Sequence, residues 1–393
     1  MNKNAPNDPK EKQMRKSLIA LACLSACCTM ATAGTVEIYG AVDTYIAVNN
    51  NDNGNTSVRL SSGGASASYF GFKGMEEISP ETQVMYRLEQ AYLSETGTTA
   101  AGADGKMFSR EAWVGVHNNN WGMLSLGRQY TPHFLTFAIT DPTDLSLGSS
   151  HSPYFFPSTT GVNGDAGLEN VNLVRHENSI MYVSPTMGGV TVFAYAALGE
   201  EKADKGSNDG NIYNIAANYA NGPLFVMASV LRQSISGNQP TNLGFMLDGT
   251  ASAPGANQTE GHDVYYNIGA TYDFGVTKVS ALYMKRDGDG SVSRPDFWIA
   301  QLGAATPVWG GRWSVSVATL QNESQKDADA WSFGTRFDYP FSKRTKVYAG
   351  VSGVFNDDNT RYSVEAGPDS SLHFASGYGE DQIQAFVGLN HRF

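Results

Sequence analysis

Cysteine is confined to the first 33 residues of this 393-residue sequence, at Cys23, Cys27 and Cys28. The rest of the chain is cysteine-free, which excludes a disulfide scaffold, a thiolate metal site and a cysteine nucleophile. Long apolar runs are equally scarce. A spanning helix needs about 20 consecutive apolar residues, and the N-terminus alone comes near that length. With a mean hydropathy of −0.30, a helical membrane protein is excluded. A membrane β-barrel is not, because its strands turn every second residue to water. Basic charge is short too: 27 Lys and Arg against 38 Asp and Glu leave a net −11, which argues against nucleic acid as a partner. Helical periodicity is missing after residue 34. The histidines, His117, His133, His151, His176, His262, His373 and His391, show no i, i+4 metal-binding spacing and join no recognisable Ser/His/Asp set. No glycine motif that would cradle a phosphate is found either. No catalytic residue, metal site or cofactor is expected.

What is present begins with Met14 to Ala33, which has a basic start, a short apolar run and a small-x-small end. This pattern predicts a cleavable secretory signal cut after Ala33, with residues 34–393 as one barrel domain. Residues 1–13 are polar and add nothing a signal needs, so Met14 is an alternative start. Leu24-Ser25-Ala26-Cys27 resembles a lipoprotein box, a competing reading that the Ala31-Thr32-Ala33 site and the strand pattern just beyond it disfavour. Removing residues 1–33 takes away five basic and two acidic residues, leaving 22 against 36 and a net charge of −14.

Beyond residue 34 the hydrophobic period is two. Val264, Tyr266, Ile268, Ala270, Tyr272 and Phe274 share one face, and Asp263, Tyr265, Asn267, Gly269, Thr271 and Asp273 the other. Trp331 to Tyr339 repeats the pattern, and aromatic residues bracket the apolar face as they do where hydrocarbon meets headgroups. Connections alternate in kind. Short ones fall at 78–82, 118–122, 185–189, 220–223, 274–276, 307–311 and 339–345. Long polar ones fall near 49–57, 95–107, 131–175, 199–211, 233–261, 286–296, 322–329 and 356–380. Seven turns interleaved with eight loops require 16 strands with both chain ends on the turn side. The expected fold is therefore all-β: a 16-stranded antiparallel transmembrane barrel with short periplasmic turns and long extracellular loops. Closure leaves no strand edge unpaired.

Several segments resemble the general porins of Gram-negative bacteria: Ala67-Ser-Tyr-Phe-Gly-Phe-Lys-Gly74, Arg110-Glu-Ala-Trp-Val-Gly-Val116, Leu126-Gly-Arg-Gln-Tyr-Thr-Pro132, Asn178-Ser-Ile-Met-Tyr-Val-Ser-Pro185, Ser342-Lys-Arg-Thr345 and Gly388-Leu-Asn-His-Arg-Phe393. The last turn and the Gly-Arg-Gln-Tyr-Thr-Pro strand end are most similar to porins of β-proteobacteria. The resemblance implies a homotrimer in the outer membrane, in contact with lipid and lipopolysaccharide. It implies a water-filled channel through which ions and small hydrophilic solutes diffuse, and a third loop folded inward to narrow it. Loop 131–175, long enough to be functional in its own right, is the candidate. It carries Asp141, Asp144, Asp165 and Glu169. In the family such a loop faces a ladder of arginines, and Arg110 and Arg175 match two of them. The position of a third holds Tyr69; Arg87, Arg128 and Lys73 are the nearby cations that bear on the same constriction. The terminal Phe393 matches the aromatic that serves as an assembly signal in the family. Glu37, Asp43, Asp263, Asp273, Arg312, Arg336 and Asp338 alternate onto lumen faces and are expected as solvated wall.

Acids facing arginines across a narrow neck set up a transverse field that orders water and biases ion passage. A substrate-selective channel for a sugar or an organic anion is the alternative, favoured by Tyr39, Tyr45, Tyr69, Tyr154, Phe155 and Phe156 if they line the lumen. An outer-membrane enzyme barrel, with a His and a Ser or Asp at one rim, resembles a smaller barrel than this strand count allows. An adhesive barrel would need a plugged lumen.

Overall fold

The computed structural model describes residues 36–51, 54, 56–99, 106–146, 173–199, 210–235, 246–247, 250–251, 261–288, 296–360, 362, 364 and 378–393. Seventeen strands form a single antiparallel sheet that closes on itself. In chain order they are β1 (Val36–Asn51), β2 (Thr56–Ser62), β3 (Tyr69–Ser79), β4 (Thr82–Ala91), β5 (Glu111–Asn118), β6 (Gly122–Tyr130), β7 (Arg175–Val183), β8 (Val190–Ala197), β9 (Ile212–Asn221) and β10 (Leu224–Ile235). After a separate two-stranded ribbon of β11 (Met246–Leu247) and β12 (Thr250–Ala251) come β13 (Gly261–Asp273), β14 (Lys278–Asp287), β15 (Phe297–Val308), β16 (Gly311–Asn322), β17 (Ala330–Pro340), β18 (Thr345–Asn356) and β19 (Gln382–Arg392). β2 and β3 pair with successive halves of β1 and act as one interrupted stave, so the wall has 16 staves. β1 closes the barrel against β19 from Ala41↔Arg392 to Asn51↔Gln382. The seven short connections at one end and the long ones at the other agree with the expected pattern.

Alternation decides which face each side chain takes. Along β9, Ile212, Asn214, Ala216 and Asn218 are buried inward, whereas Tyr213, Ile215 and Tyr219 point out. Such outward residues, Ile38, Val58, Ile215 and Leu302 among them, are exposed on the isolated chain. A bilayer supplies the apolar medium that makes them favourable, at roughly 25 cal/mol per Å². Two aromatic belts bound this zone. Trp309, Phe337, Tyr339 and Phe341 cluster at the turn end, with Trp309 and Phe337 6.1 Å apart. Trp331 stacks on Phe355 at 4.1 Å, and Tyr283 on Trp298 at 6.1 Å, at the loop end.

The break in the second stave is a correction to the simple alternation. Between β2 and β3 the chain turns inward at Gly63, whose φ of +90° suits glycine, and delivers the Ala65 N–H to the Asp43 carboxylate at 3.3 Å. Asp43 also accepts from the Tyr348 hydroxyl at 2.5 Å and the Asn390 amide at 2.8 Å. It is wholly buried and ties β1 to β18 and β19, where the sequence reading expected a solvated wall residue. Three donors from other elements reduce the cost of burying this carboxyl group.

The connection after β6 enters the barrel, as expected, but it starts with a helix that the sequence reading did not foresee: α1 (Pro132–Thr140). Thr131 caps it, accepting from the Phe134 N–H at 3.0 Å, and Pro132 occupies the first turn, where its missing N–H costs nothing. Nine residues are too few to show a periodicity, and burial on several sides leaves no amphipathic stripe to read. Helix α1 packs on β9, β10, β13 and β14. The His133 N–H donates to Asn214 Oδ1 at 2.7 Å, its Nδ1 meets Ser229 Oγ at 3.2 Å, and Asn267 donates to its carbonyl at 2.9 Å. Burial pushes the His133 imidazole down to about 3, so this polar seat is held by a neutral ring.

Candidate pore constriction

Two groups of charge lie on the inner wall. The first spans β3 to β7. Arg110 donates its Nε to Glu89 and a terminal nitrogen to the Tyr130 hydroxyl at 2.8 Å, and its guanidinium lies 5.0 Å above the Tyr69 ring. The Tyr39 hydroxyl donates to the other Glu89 oxygen at 2.9 Å. Arg87 pairs with Glu111 at 3.1 Å, and the Trp113 indole donates to the same carboxylate at 2.6 Å. Arg175 lies 5.2 Å over the Tyr130 ring, which stacks on Phe134 of α1 at 5.0 Å. Tyr69, Arg110, Tyr130 and Arg175 therefore form one continuous contact chain, in which the aromatic faces hold the guanidinium planes in position.

The second group spans β16 to β18 and the loop beyond α1. Asp144 binds Arg312 and lies 3.6 Å from Arg336. Arg336 also donates to the Thr143 carbonyl at 2.8 Å and pairs with Asp338 at 2.9 Å; Lys346 approaches Asp338 to 3.4 Å. Burial opposes ionisation of Asp144, but Arg312, Arg336 and Lys346 overcome it and hold its carboxyl below the ordinary carboxylate range. Two wall glycines admit the loop here: a Cβ at Gly303 would meet Pro142 at 2.5 Å, and one at Gly269 would meet Thr140 at 2.6 Å. Ser146 then reaches the Gly64 carbonyl in the inturned segment between β2 and β3. The described part of the loop thus runs along the inner wall from β9 to the second stave.

The expected constriction residues fall into both groups and outside them. Arg87, Arg110, Arg175 and Tyr69 are brought together on the first wall. Lys73 sits opposite Arg87 in the β3–β4 register and pairs with Glu37 at 3.1 Å, nearer the turn end. Arg128 shares the parity of the outward Leu124 and Leu126, and beside it the β6–β7 register shifts, with one extra residue on β7 between Ser179 and His176; it donates to the Ser109 carbonyl at 2.7 Å and lies 3.8 Å from Glu177. Asp141 faces no arginine: its carboxylate accepts from the Thr143 N–H and hydroxyl and from the Leu145 N–H, closing a turn. Asp144 meets Arg312 and Arg336, not Arg110 and Arg175 as the sequence reading expected. Asp165, Glu169, Tyr154, Phe155 and Phe156 lie outside the described residues, as does the whole of segment 1–33. Tyr45 packs edge-on against Phe386 in the cluster around Tyr348.

The sequence reading expected Arg312, Arg336, Asp263 and Asp338 to be solvated wall. Instead Asp263 and Arg286 form a fully buried pair at 2.6 Å, and Arg336 with Asp338 anchors the loop. It missed Glu89 and Glu111 altogether. The i, i+2 spacing of Arg87 and Glu89 was a usable signal, since it places both on the lumen face. Glu111 needed the strand register.

A family model described as Gram-negative porin matches residues 17–359. The chain is 29% identical to outer membrane porin protein 32 of Delftia acidovorans, over 97% of this chain and 100% of that protein. It is 26% identical to an outer membrane porin of Bordetella pertussis, over 86% and 93%. Among solved structures, the anion-selective porin from Comamonas acidovorans superposes with a TM-score of 0.74 at 25% identity, covering 91% of this chain and 99% of that one. A trimer form of the Vibrio cholerae protein OmpT shares the fold at a TM-score of 0.61 and 15% identity.

Proposed function

The chain belongs to the Gram-negative porin family, and we propose that the Tyr69–Arg110–Tyr130–Arg175 wall and the inward loop together form the neck of its channel. The protein is an outer-membrane porin: a water-filled β-barrel through which ions and small hydrophilic solutes diffuse passively. A barrel of 16 staves is wide enough to leave an aqueous lumen unless something enters it. The observation that carries the reading is the course of the loop, which lines the wall from β9 round to the second stave.

In this reading Arg110 and Arg175 set much of the potential at the neck, with Arg87, Arg128 and Lys73 contributing along the same side and Asp141, Asp144, Asp165 and Glu169 belonging to the loop that narrows it. The pore selects by size and charge and involves no catalytic step. Similarity to an anion-selective porin accords with an arginine-lined wall. Replacing Arg110 and Arg175 together by Ser should move the reversal potential in a salt gradient toward cations; an unchanged value in channels that still conduct would sink the assignment. Working subunits are homotrimers, as the trimer form of a structural neighbour suggests, and a native gel of detergent-extracted protein reads that directly. Phe393 exchanges both backbone hydrogen bonds with Gly40 at 3.1 Å. This supports its role as an assembly signal: deleting it should lower outer-membrane levels while the molecules that insert conduct normally.

A further inference from the structure

We infer that Glu89 and Glu111 set the charge selectivity of this pore by holding the arginine wall near electrical balance, an inference that rests on the placement of that wall at the neck. Glu89 and Glu111 sit opposite each other on β4 and β5, in register. Each binds a different arginine: Glu89 takes Arg110 and Glu111 takes Arg87. The carboxylates lie deeper than their partners, with side-chain exposures of 6% each against 14% for Arg110 and 13% for Arg87. The arginine side chain is therefore the more accessible member of each pair, with its carboxylate held in contact.

This placement changes what a passing ion feels. A lone guanidinium acts as a full charge, whose potential falls slowly in a narrow, low-dielectric neck. A guanidinium backed by a carboxylate at contact distance acts as a dipole, whose potential falls faster with distance. Anions still meet donor edges on close approach, but the long-range attraction that enriches them in the lumen is largely cancelled. The Tyr39 hydroxyl and the Trp113 indole each donate to one of these carboxylates, which fixes the position of their oxygens. The acids that limit selectivity are thus strand residues, independent of the position of the loop.

The test uses the full-length protein refolded into planar bilayers, with the reversal potential read in a potassium chloride gradient. Glu89→Gln with Glu111→Gln keeps shape and one acceptor oxygen in each side chain but removes two charges. The double variant should raise the chloride-to-potassium permeability ratio at least about twofold, and the gain should shrink as salt rises from 0.1 to 1 M. Glu89→Asp with Glu111→Asp retains the charges and should return the ratio close to that of the parent. If the amide variants conduct with the parent ratio while Arg110→Ser/Arg175→Ser still shifts toward cations, the inference is overturned and the neck assignment stands. If neither pair shifts the ratio, the neck assignment itself fails. If the aspartate pair moves the ratio as far as the amide pair, altered packing rather than charge is responsible, and the inference is likewise overturned.

Discussion

On the wall of β4 to β7 the carboxylates that answer the arginines, Glu89 and Glu111, are built into neighbouring strands; on the wall of β16 to β18 one of the two, Asp144, arrives on the inward loop. Both walls contain buried or half-buried arginines in contact with carboxylates. The difference lies in what each pairing controls. A strand-borne pair is set by the barrel register, so its place on the wall does not depend on the loop. A pair shared with the loop couples the position of the loop to the charge on the wall. Moving the loop would leave Arg312, Arg336 and Lys346 to share Asp338, which gives the loop an electrostatic reason to stay.

The largest effect should come from the loop-facing wall. Arg336 is wholly buried and holds Asp338, Asp144 and the Thr143 carbonyl at once. Arg336→Ala should cost about 3–5 kcal/mol, because it removes the buried guanidinium that holds Asp338 through two nitrogens, and should lower the temperature at which the folded, heat-modifiable band is lost on a gel. Retention of the parent temperature would show that the loop wall is not a structural anchor. Asp144→Asn comes next. It should leave barrel unfolding nearly unchanged yet release the loop, seen as noisier single-channel current and altered conductance; quiet parent-like channels would make the coupling between loop and wall dispensable.

Acid sharpens the comparison, since the two ends of the loop titrate in different windows. His133 is held neutral, with its folded value near 3 against an ordinary 6.5. The unfolded or undocked state therefore binds the extra proton, and docking of α1 weakens progressively as pH falls from about 6.5 toward 3. Asp144 is shifted in the same direction, but its window lies at lower pH. Its folded value lies below the ordinary 3.8, so its contribution is complete above that point and is lost only as pH falls through the depressed folded value. His133→Asn, which cannot titrate, should abolish the change in channel noise between pH 6.5 and 4 and leave the change at lower pH intact. The smallest effect is expected at the rim: Lys285 and Glu323 pair at 2.9 Å but are 37% and 43% exposed. Lys285→Ala should shift stability by no more than about 1 kcal/mol and leave the current unaltered, and a larger change would place that pair in a role that its exposure does not suggest.

Much of this was legible beforehand because a barrel writes its fold in short-range terms. The alternation of His262 to Phe274 and of Trp331 to Tyr339 reappears as inward and outward faces, and the seven short connections lie where turn residues cluster. The site was less legible. Arg87, Arg110, Tyr69 and Arg175 could be picked out, yet their partners could not, because Glu111 reaches Arg87 across a strand pair and Arg110 reaches Tyr130 across β5 and β6. Arg128 shows the limit of parity: it follows Gly127, whose φ is +127°, where β7 carries one extra residue and the register shifts, which no count along β6 alone reveals.

From its sequence alone the chain determined that it would be a closed sheet of alternating residues with long loops at one end, since a period of two and the turn residues act over neighbouring positions. Tertiary structure alone decided that Asp43 is a buried junction, that α1 forms and docks through His133, and that Asp144 seeks Arg312 and Arg336. These outcomes join residues up to 347 positions apart. They depend on barrel closure and on where a long loop comes to rest, and no local pattern in the chain encodes either.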